Sequence, residues 1–305
     1  MIIPSKDSPR LIEALRSVNA SAKLCPSIAV EVIVVDSSLA LRPFSAHMTF
    51  THVDLVLIHK DLNRLAARLE GIAHASGDWI LSLDSDQTIH PNLISTIYKA
   101  DSPSIAFPEF PPGPRSTWDR WASLVTQANR RTERDFQKNM SLDIPIVPRA
   151  YRANLLRTAI SELKQSMQEK DFSGVPTRHE DTILFSYFLR ANHLTPSGAV
   201  GFSSSPIFHS VPSISESARR YLRYGYDLGS ESRKVRHGQL RVSPEAWEQV
   251  YRVDVLRLTR YFSRGLGVNV SGLVYDSFCG SAYLVGFLKG FLFPGLKSRP
   301  PGGRP

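Results

Sequence analysis

The sequence predicts an α/β fold, a mostly parallel sheet flanked by helices. Short apolar runs alternate with amphipathic segments over residues 1–90, which is the pattern of strands and helices in a parallel sheet. The run from Val30 to Val35 is almost continuously apolar, as is typical of a strand buried on both faces. A chain of 305 residues is also long enough to bury such a sheet in one core.

The first elements are a short strand and a helix. The strand is expected at Ile2 and Ile3 and is ended by Pro4. Ser8 and Pro9 are typical of a helix start, with Ser8 as the N-cap and Pro9 as the first helical residue. Apolar residues at spacings of four and three then give this helix a buried face: Leu11, Leu15 and Val18.

Two more strands and a second helix follow the strand at 30–35. Apolar runs predict strands over 53–58 and 79–83, and the segment 63–75 predicts a helix followed by Gly77. The proline-rich segment 103–118 is interpreted as an irregular connection. Further helices are predicted over 118–142, within 149–169, over 180–191 and in part of 205–241.

Composition and charge restrict the class of protein. Hydrophobic residues make up 42% and charged residues 21% of the chain, as in globular soluble or peripheral proteins. The formal net charge is +9, and basic residues concentrate between 219 and 241. Such a cluster attracts the phosphates of nucleic acid, anionic lipid or a pyrophosphate-linked acceptor, although a solvated basic face is the simpler explanation for any single arginine.

The cysteines and the N-terminal residues indicate the cellular compartment in which the protein is expected. Cys25 and Cys279 lie far apart and belong to no C-x-x-C pattern, so we expect buried thiols and not a zinc site or a disulfide framework. The first residues lack a basic region followed by a long apolar stretch, so no secretory signal is expected. The expected location is cytoplasmic, either in the cytosol or peripheral on the cytoplasmic face of a membrane.

Three carboxylates follow two of the predicted strands. Asp36 comes directly after the strand at 30–35, and Asp84 and Asp86 follow the strand at 79–83. Ligands of open α/β sheets bind beyond the carboxyl ends of the strands, so we expect these side chains at one edge of the sheet. In an extended segment Asp84 and Asp86 point the same way and suit a divalent cation that neutralises a diphosphate. The alternative is that both are turn or cap residues.

Together these motifs resemble those of glycosyltransferase family 2, whose members have a GT-A fold. Ile2–Asp7 is similar to the family's first strand and nucleotide loop, and Glu31–Asp36 to its second strand. Asn63–Asp86 resembles its longest signature, an arginine-bearing helix, then A-x-G-D/E, a strand and D-x-D. The resemblance covers about residues 1–95, and residues 140–210 more loosely.

The resemblance implies a donor site and a metal site. It implies that the donor-binding residues are Pro4, Ser5, Asp7, Asp36, Arg68, Asp84 and Ser85. It also implies that Mg²⁺ or Mn²⁺ is the cofactor and that its ligands are Asp86, Asp84 and His209. The alternative for His209 is a structural histidine. Ser37 stands where the family usually has a second acid, and Asp7 where an asparagine is common; both departures concern the choice of nucleobase.

His179-Glu180-Asp181 forms a second constellation. It resembles the family's E-D pair at a helix start, and Asp181 matches the catalytic base, with Glu180 beside it. A carboxylate can take the proton of the acceptor hydroxyl as that hydroxyl attacks the anomeric carbon. The alternative is that both acids only stabilise the positive end of the following helix.

The chain is divided into a GT-A catalytic domain, residues 1–210, and a basic, helical and partly apolar extension, residues 211–305. The catalytic domain has a nucleotide-sugar-binding half, 1–100, and an acceptor half, 101–210. Polymerising members of the family carry a Q-x-x-R-W motif that this sequence lacks, which favours a single, non-processive addition.

Two features outside the motifs bear on the acceptor. Residues 265–296 are apolar, but Asp276 in the middle costs about 2.5–3.5 kcal/mol on insertion scales, so we expect a segment that docks on a membrane or packs on the core. Trp118 and Trp121 are interpreted as packing residues, with an acceptor platform as the alternative.

The predicted function is inverting transfer from a nucleoside diphosphate sugar to a hydroxyl of a glycan or lipid-linked glycan, as in cell-envelope glycan biosynthesis. The expected partners are that donor, that acceptor and an anionic membrane surface, with no nucleic acid. A nucleotidyltransferase would typically carry a glycine-rich phosphate loop, which residues 4–12 lack. A non-catalytic protein that binds lipid or nucleic acid would leave the three carboxylates without a role.

Overall fold

The structure, a computed structural model, describes residues 1–38, 50–110, 117–118, 148–166, 180–209, 213–237 and 270–293. Over the first hundred residues strands alternate with helices, as the sequence predicts. The predicted helix at 118–142 lies outside the described residues except for its first residue, and so do Trp121 and His179.

Three parallel strands form the N-terminal sheet, in the order β1 (Ile2–Ser5), β2 (Glu31–Asp36) and β3 (Asp54–His59). The central strand β2 is buried from its second residue onward, which confirms the buried strand expected there. Most of β3 is exposed, because β3 is the outer strand of the three.

A second sheet continues the first. Its order is β4 (Trp79–Leu81), β8 (Ala150–Arg152), β6 (Ser104–Ala106) and β9 (Val200–Phe202). A parallel bridge between Ile2 and Ser82 joins the two sheets, so β1 and the segment after β4 run in the same direction. Their carboxyl ends therefore meet at one edge.

A third, small sheet covers this edge. It consists of β5 (Gln87–Ile89), β10 (Ile207–His209) and β7 (Glu109–Phe110), with β10 in the middle. Strands β6 and β7 fall within the segment 103–118, so the irregular connection predicted there was wrong. Both strands pair with segments at least forty residues away, and such pairings cannot be predicted from local sequence patterns.

Helices cover both faces of the joined sheets. Ile3 faces α1 (Leu11–Lys23) and α3 (Leu93–Tyr98), whereas its neighbour Ile2 faces α2 (Arg64–His74) and two later helices. The later helices are α4 (Ala153–Ser166) and α5 (Glu180–Ala191), and a short helix, α6 (Pro196–Ala199), precedes β9. The positions of α4 and α5 confirm the predictions within 149–169 and over 180–191.

The helices α1 and α2 differ in how they begin. Asn63 is the N-cap of α2, and its side chain accepts a hydrogen bond from the Ala66 amide at the start of the helix predicted over 63–75. The predicted start of α1 was wrong, because its N-cap is Arg10. The Ser8 hydroxyl instead donates to the carbonyl oxygen of Ser85 at 3.3 Å. This bond joins the loop after β1 to the loop after β4.

The C-terminal extension contains two closely packed helices, α7 (Ile214–Arg236) and α8 (Val270–Leu292). Glycine allows this approach: a Cβ on Gly225 would collide with the carbonyl oxygen of Tyr283, and one on Gly286 with the carbonyl oxygen of Leu222. Leu228 and Tyr283 are buried in the core under α2, α4 and α5, so the pair packs on these helices. None of the helices in the described part of the chain has the length and apolar character needed to cross a bilayer.

Trp118 is part of this packing. Its indole N–H donates to the Ser217 hydroxyl at 3.3 Å, and its ring meets the ring of Phe278 edge-on with centroids 5.5 Å apart. Trp118 is 7% exposed. These contacts favour the packing interpretation of Trp118 over an acceptor platform.

Candidate active site

A buried carboxylate, that of Asp36, lies at the carboxyl ends of β1 and β2. Asp36 is 5% exposed, and its Oδ1 accepts a hydrogen bond from the Ser38 hydroxyl at 2.7 Å. The Ser38 oxygen in turn accepts from the Asp7 amide at 2.8 Å. His59 Nδ1 lies 4.0 Å from Asp36 Oδ2. These contacts fix the carboxylate of Asp36 against the loop that follows β1.

The loop itself is held by β2. Ser5 pairs with Asp36 in the parallel register, and the Ser37 amide donates to the Ser5 carbonyl at 2.8 Å. Asp7 has a φ of 50°, in the left-handed region that aspartate and asparagine adopt more easily than most residues. An aspartate at this position is therefore compatible with a backbone turn that asparagine also favours.

Asp84 and Asp86 lie in a tight turn. The Gln87 amide donates to the Asp84 carbonyl at 3.0 Å, and the Gln87 side-chain oxygen accepts from the Asp84 amide at 2.9 Å. The extended geometry assumed for Asp84 and Asp86 in the sequence-based prediction was therefore wrong. Because the chain turns between them, the two carboxylates have different partners.

Asp84 is held by arginines of α2. Arg68 is 2% exposed, and its Nη2 donates to Asp84 Oδ1 at 2.9 Å. Its Nη1 contacts Oδ1 of Asp181, near the start of α5. Arg64, one turn earlier on α2, lies 3.8 Å from Asp84 Oδ1. Arg68 therefore connects the D-x-D turn to the predicted catalytic base.

Arg149 reaches the same cluster from the second sheet. Its carbonyl accepts from the Ser82 amide at 2.8 Å, and its amide donates to the Ile105 carbonyl at 3.0 Å. Ser82 lies two residues before Asp84, so its bond to Arg149 places Arg149 beside the D-x-D turn.

The guanidinium of Arg149 contacts three carboxylates. Nε and Nη2 donate to Glu109 Oε1 at 3.0 and 2.8 Å. Nη1 donates to Asp181 Oδ2 at 3.2 Å, and Nη2 lies 3.8 Å from Asp84 Oδ2. Both carboxylate oxygens of Asp181 thus have a guanidinium partner, Arg68 on one side and Arg149 on the other.

The cluster is charged and internally paired. Burial disfavours the charge of Asp84, but the guanidinium groups of Arg149, Arg68 and Arg64 outweigh it and hold the pKa of Asp84 well below its usual range. Burial likewise disfavours the charge of Arg149, and the negative charges of Glu109 and Asp84 overcome it and raise the pKa of Arg149. The site therefore presents fixed charges at neutral pH.

Asp86 and His209 form a separate pair. His209 ends β10 opposite Gln87 of β5, and its Nε2 lies 3.1 Å from Asp86 Oδ2. Burial opposes protonation of His209, but its hydrogen bond to Asp86 and the charge of Asp86 raise the pKa of the imidazole. Burial also opposes ionisation of Asp86, and the hydrogen bond and charge of His209 lower the pKa of that carboxyl.

The structure thus brings most of the predicted residues to one edge of the sheet. Asp84, Arg68 and Asp181 form the charged cluster with Arg149, the pair of Asp86 and His209 lies in and beside the same turn, and Glu180 is the first residue of α5. The predicted donor residues of the first two strands lie at the ends of β1 and β2 and in the loop after β1: Pro4, Ser5, Asp7 and Asp36. Within the described residues, no group of three histidine, cysteine or acidic side chains is arranged to hold a metal ion.

Four residues of the site were not predicted. Arg64 lies within a recognised motif and Ser38 two residues after one, and a local search for polar residues near Asp36 and Arg68 would have found them. Glu109 stands between Pro108 and Phe110 in a segment interpreted as irregular, and Arg149 is the first residue of the segment 149–169 in which only a helix was predicted. Only the strand pairings reveal their proximity to Asp84.

Comparison with known proteins identifies the family of the chain. The model of the family described as Glycosyl transferase family 2 matches residues 1–158, which is just over half of the chain. The chain belongs to this family. None of the proteins with curated functions matches the sequence.

Solved structures with a similar arrangement include residues 1–349 of TarS from S. aureus, at 13% identity and a TM-score of 0.45, covering 95% of this chain and 89% of that one. The same protein in complex with UDP matches at 14% identity and a TM-score of 0.43, covering 98% and 93%. The mannosyltransferase PcManGT from Pyrobaculum calidifontis, in complex with GDP-Man and Mn²⁺, matches at 14% identity and a TM-score of 0.48, covering 96% and 86%.

Family membership defines the class of enzyme. The protein is a glycosyltransferase with a mixed α/β, GT-A-like fold. This result decides against the two alternatives left by the sequence, a nucleotidyltransferase and a non-catalytic basic protein.

Proposed function

We propose that the protein transfers a sugar from a nucleoside diphosphate sugar to an acceptor hydroxyl, with inversion at the anomeric carbon. The supporting observation is that the carboxylate of Asp36 and the charged cluster around Arg68 lie at the same edge of the sheet. The hydrogen bond between Ser8 and Ser85 links the loops that carry them. A nucleoside suits the strand ends beside Asp36, and its diphosphate and sugar suit the neighbouring cluster.

In this proposal the nucleoside binds at β1 and β2. The carboxylate of Asp36 accepts hydrogen bonds from base or ribose groups, and Pro4, Ser5 and Asp7 line the loop beside it. Ser85 and Asp84 contact the donor from the D-x-D turn. Arg68 is too deeply buried for extensive donor contact, so its role is to hold the carboxylates of Asp84 and Asp181.

Asp86 and His209 are the residues that fit a divalent cation, Mg²⁺ or Mn²⁺. Their side chains are 33% and 26% exposed, and a carboxylate oxygen and an imidazole nitrogen at contact distance are suitable donors, especially for Mn²⁺. The oxygens of Asp84 already face arginines, so Asp84 contributes charge and a ribose contact. When bound, the cation neutralises the departing diphosphate.

Asp181 is proposed as the base that accepts the proton of the acceptor hydroxyl, assisted by the neighbouring Glu180. Both oxygens of Asp181 contact guanidinium groups. Proton transfer therefore requires one of these ion pairs to lengthen when the donor and acceptor bind. Arg149 is the better candidate to move, because its guanidinium also has Glu109 as a partner.

The proposed acceptor is a glycan or lipid-linked glycan, as in cell-envelope glycan biosynthesis, with the protein peripheral on the cytoplasmic face of a membrane. Exposed apolar residues on α8 support this location: Leu284, Val285, Leu288 and Leu292. The arginines of α7 add positive charge that anionic headgroups attract.

A screen of sugar nucleotides tests the proposal. We expect one nucleoside diphosphate sugar to release its diphosphate in the presence of a sugar acceptor and to give a product whose anomeric configuration, determined by NMR, is inverted. A retained configuration would contradict the inverting mechanism, and no release from any sugar nucleotide would contradict the donor class.

A further inference from the structure

The carboxylates of the active site differ in how many of their oxygens have partners. Both oxygens of Asp84 and both oxygens of Asp181 face guanidinium groups. Asp86 contacts His209 through Oδ2. Glu109 receives both of its hydrogen bonds from Arg149 on Oε1, so within the described residues its Oε2 has no partner.

Glu109 is also the most open of these acids. Its side chain is 39% exposed, compared with 15% for Asp84 and 31% for Asp181. It lies on β7 opposite Ile207, two residues before His209 on the neighbouring strand. Paired residues of neighbouring strands share a face of the sheet, and so do residues two apart on one strand, so Glu109 lies on the same side of the small sheet as His209.

Before substrates bind, Arg149 holds Glu109 beside the proposed base. The guanidinium is planar and rigid, and it holds Glu109 through Nε and Nη2 and Asp181 through Nη1. A group bound to Oε2 of Glu109 therefore lies next to the carboxylate of Asp181. A carboxylate that is anchored on one oxygen and open on the other is suited to accepting a hydrogen bond from a ligand.

We propose that Glu109 is an acceptor-binding residue, whose Oε2 accepts a hydrogen bond from an acceptor hydroxyl adjacent to the one that reacts. This inference rests on the proposed transfer to an acceptor hydroxyl. The negative charge of Glu109 selects a neutral sugar ring at this subsite and disfavours a phosphate or carboxylate group there. The part of the acceptor that carries the reacting hydroxyl is therefore an uncharged, polyhydroxylated sugar.

The test uses Glu109→Gln. Glutamine keeps an oxygen for Arg149 but replaces Oε2 with an amide nitrogen, which donates and does not accept. We expect the KM for methyl hexopyranoside acceptors to rise about 10-fold or more, because a hydrogen bond to a charged group is lost. The proposed hydrogen bond does not involve the nucleoside diphosphate, so the dissociation constant of that ligand should stay within about twofold of the native value. Asp101→Asn removes an exposed carboxylate between α3 and β6 and is the matched control.

Deoxy acceptors separate a direct contact from a structural effect. For the native protein, removal of one particular hydroxyl should weaken acceptor binding, and the same removal should have no further effect in Glu109→Gln. Equal penalties in both proteins for every deoxy acceptor would overturn the inference, as would a Glu109→Gln variant that binds the acceptor normally.

The inference can fail independently of the proposed function. Binding of methyl hexopyranosides is measured by ligand-observed NMR without turnover, in the presence of a nucleoside diphosphate. If the native protein turns over a sugar nucleotide while Glu109→Gln leaves acceptor binding unchanged, only the role of Glu109 is wrong. If no sugar nucleotide is turned over, the proposed function itself is wrong.

Discussion

The buried guanidinium of Arg68 donates to the carboxylate of Asp84 across 2.9 Å. Arg68 is 2% exposed and Asp84 15%, so this ion pair lies largely out of water. Through its other terminal nitrogen Arg68 also contacts Asp181. One buried side chain of α2 therefore fixes the D-x-D turn and the start of α5 relative to each other.

Replacement of Arg68 by methionine should destabilise the fold. Removal of one partner from a buried ion pair costs about 3–5 kcal/mol, and we expect about 3 kcal/mol because Asp84 retains Arg149 and Arg64. The free energy of unfolding is measured in urea. Lys60→Met breaks an exposed pair with Glu70 and should cost less than about 1 kcal/mol. Similar losses for the two variants would contradict the structural role of Arg68.

Asp181→Asn should affect catalysis more than donor binding. The amide keeps the shape of the side chain but is a poor proton acceptor, so turnover should fall by about 10² to 10⁴-fold. Donor affinity, measured by calorimetry with the sugar nucleotide, should remain nearly intact. If donor binding is lost instead, Asp181 belongs to the donor site or to the fold, and the assignment as base is wrong.

The sequence predicted the parts of this site that depend on local patterns. The strand ending at Asp36 and the helix carrying Arg68 were both expected, because the apolar run before Asp36 and the helical segment 63–75 before Gly77 are local features of the sequence. The family motif then placed Asp84, Asp86 and Asp181 close to these elements.

The remainder depends on contacts between distant segments. Arg149 reaches the site because its backbone bonds to Ser82 and Ile105, and no local signal reveals that pairing. Serine is a favoured N-cap residue, but the hydroxyl of Ser8 donates to the carbonyl oxygen of Ser85. A tertiary contact therefore overrides the local preference of Ser8 for capping a helix. The turn between Asp84 and Asp86 is likewise stabilised by Gln87, whose role was not recognised.

The pair of Asp86 and His209 should make the stability of the metal-free protein depend on pH. The raised pKa of His209 adds stability below the ordinary imidazole pKa of about 6.5, which is lost as the pH rises through the raised value. The lowered pKa of Asp86 adds stability above about pH 4, which is lost as the pH falls further. Melting temperatures with chelator should therefore show the largest difference between the native protein and His209→Gln between about pH 4 and 6.5. A difference that grows above pH 7 would contradict the pairing.

Membrane attachment should depend on the exposed face of α8. The native protein should sediment with anionic vesicles at low salt, and high salt should release part of it, because salt screens only the contribution of charge. Leu288→Glu changes a residue that is 49% exposed and should release more protein than Ile12→Glu, a change at an apolar residue of α1 that is 39% exposed. If the native protein remains in the supernatant, the apolar face of α8 has another role.

Metal dependence of sugar-nucleotide turnover tests the central claim most directly. Release of the nucleoside diphosphate is measured for the native protein and Asp86→Ala, after treatment with a chelator and after addition of Mn²⁺ or Mg²⁺. We expect the chelator to abolish turnover by the native protein and either cation to restore it, and we expect Asp86→Ala to remain inactive with both cations because it lacks a proposed ligand. Full turnover by the chelated native protein, or by Asp86→Ala, would contradict a cation-assisted transfer at this site.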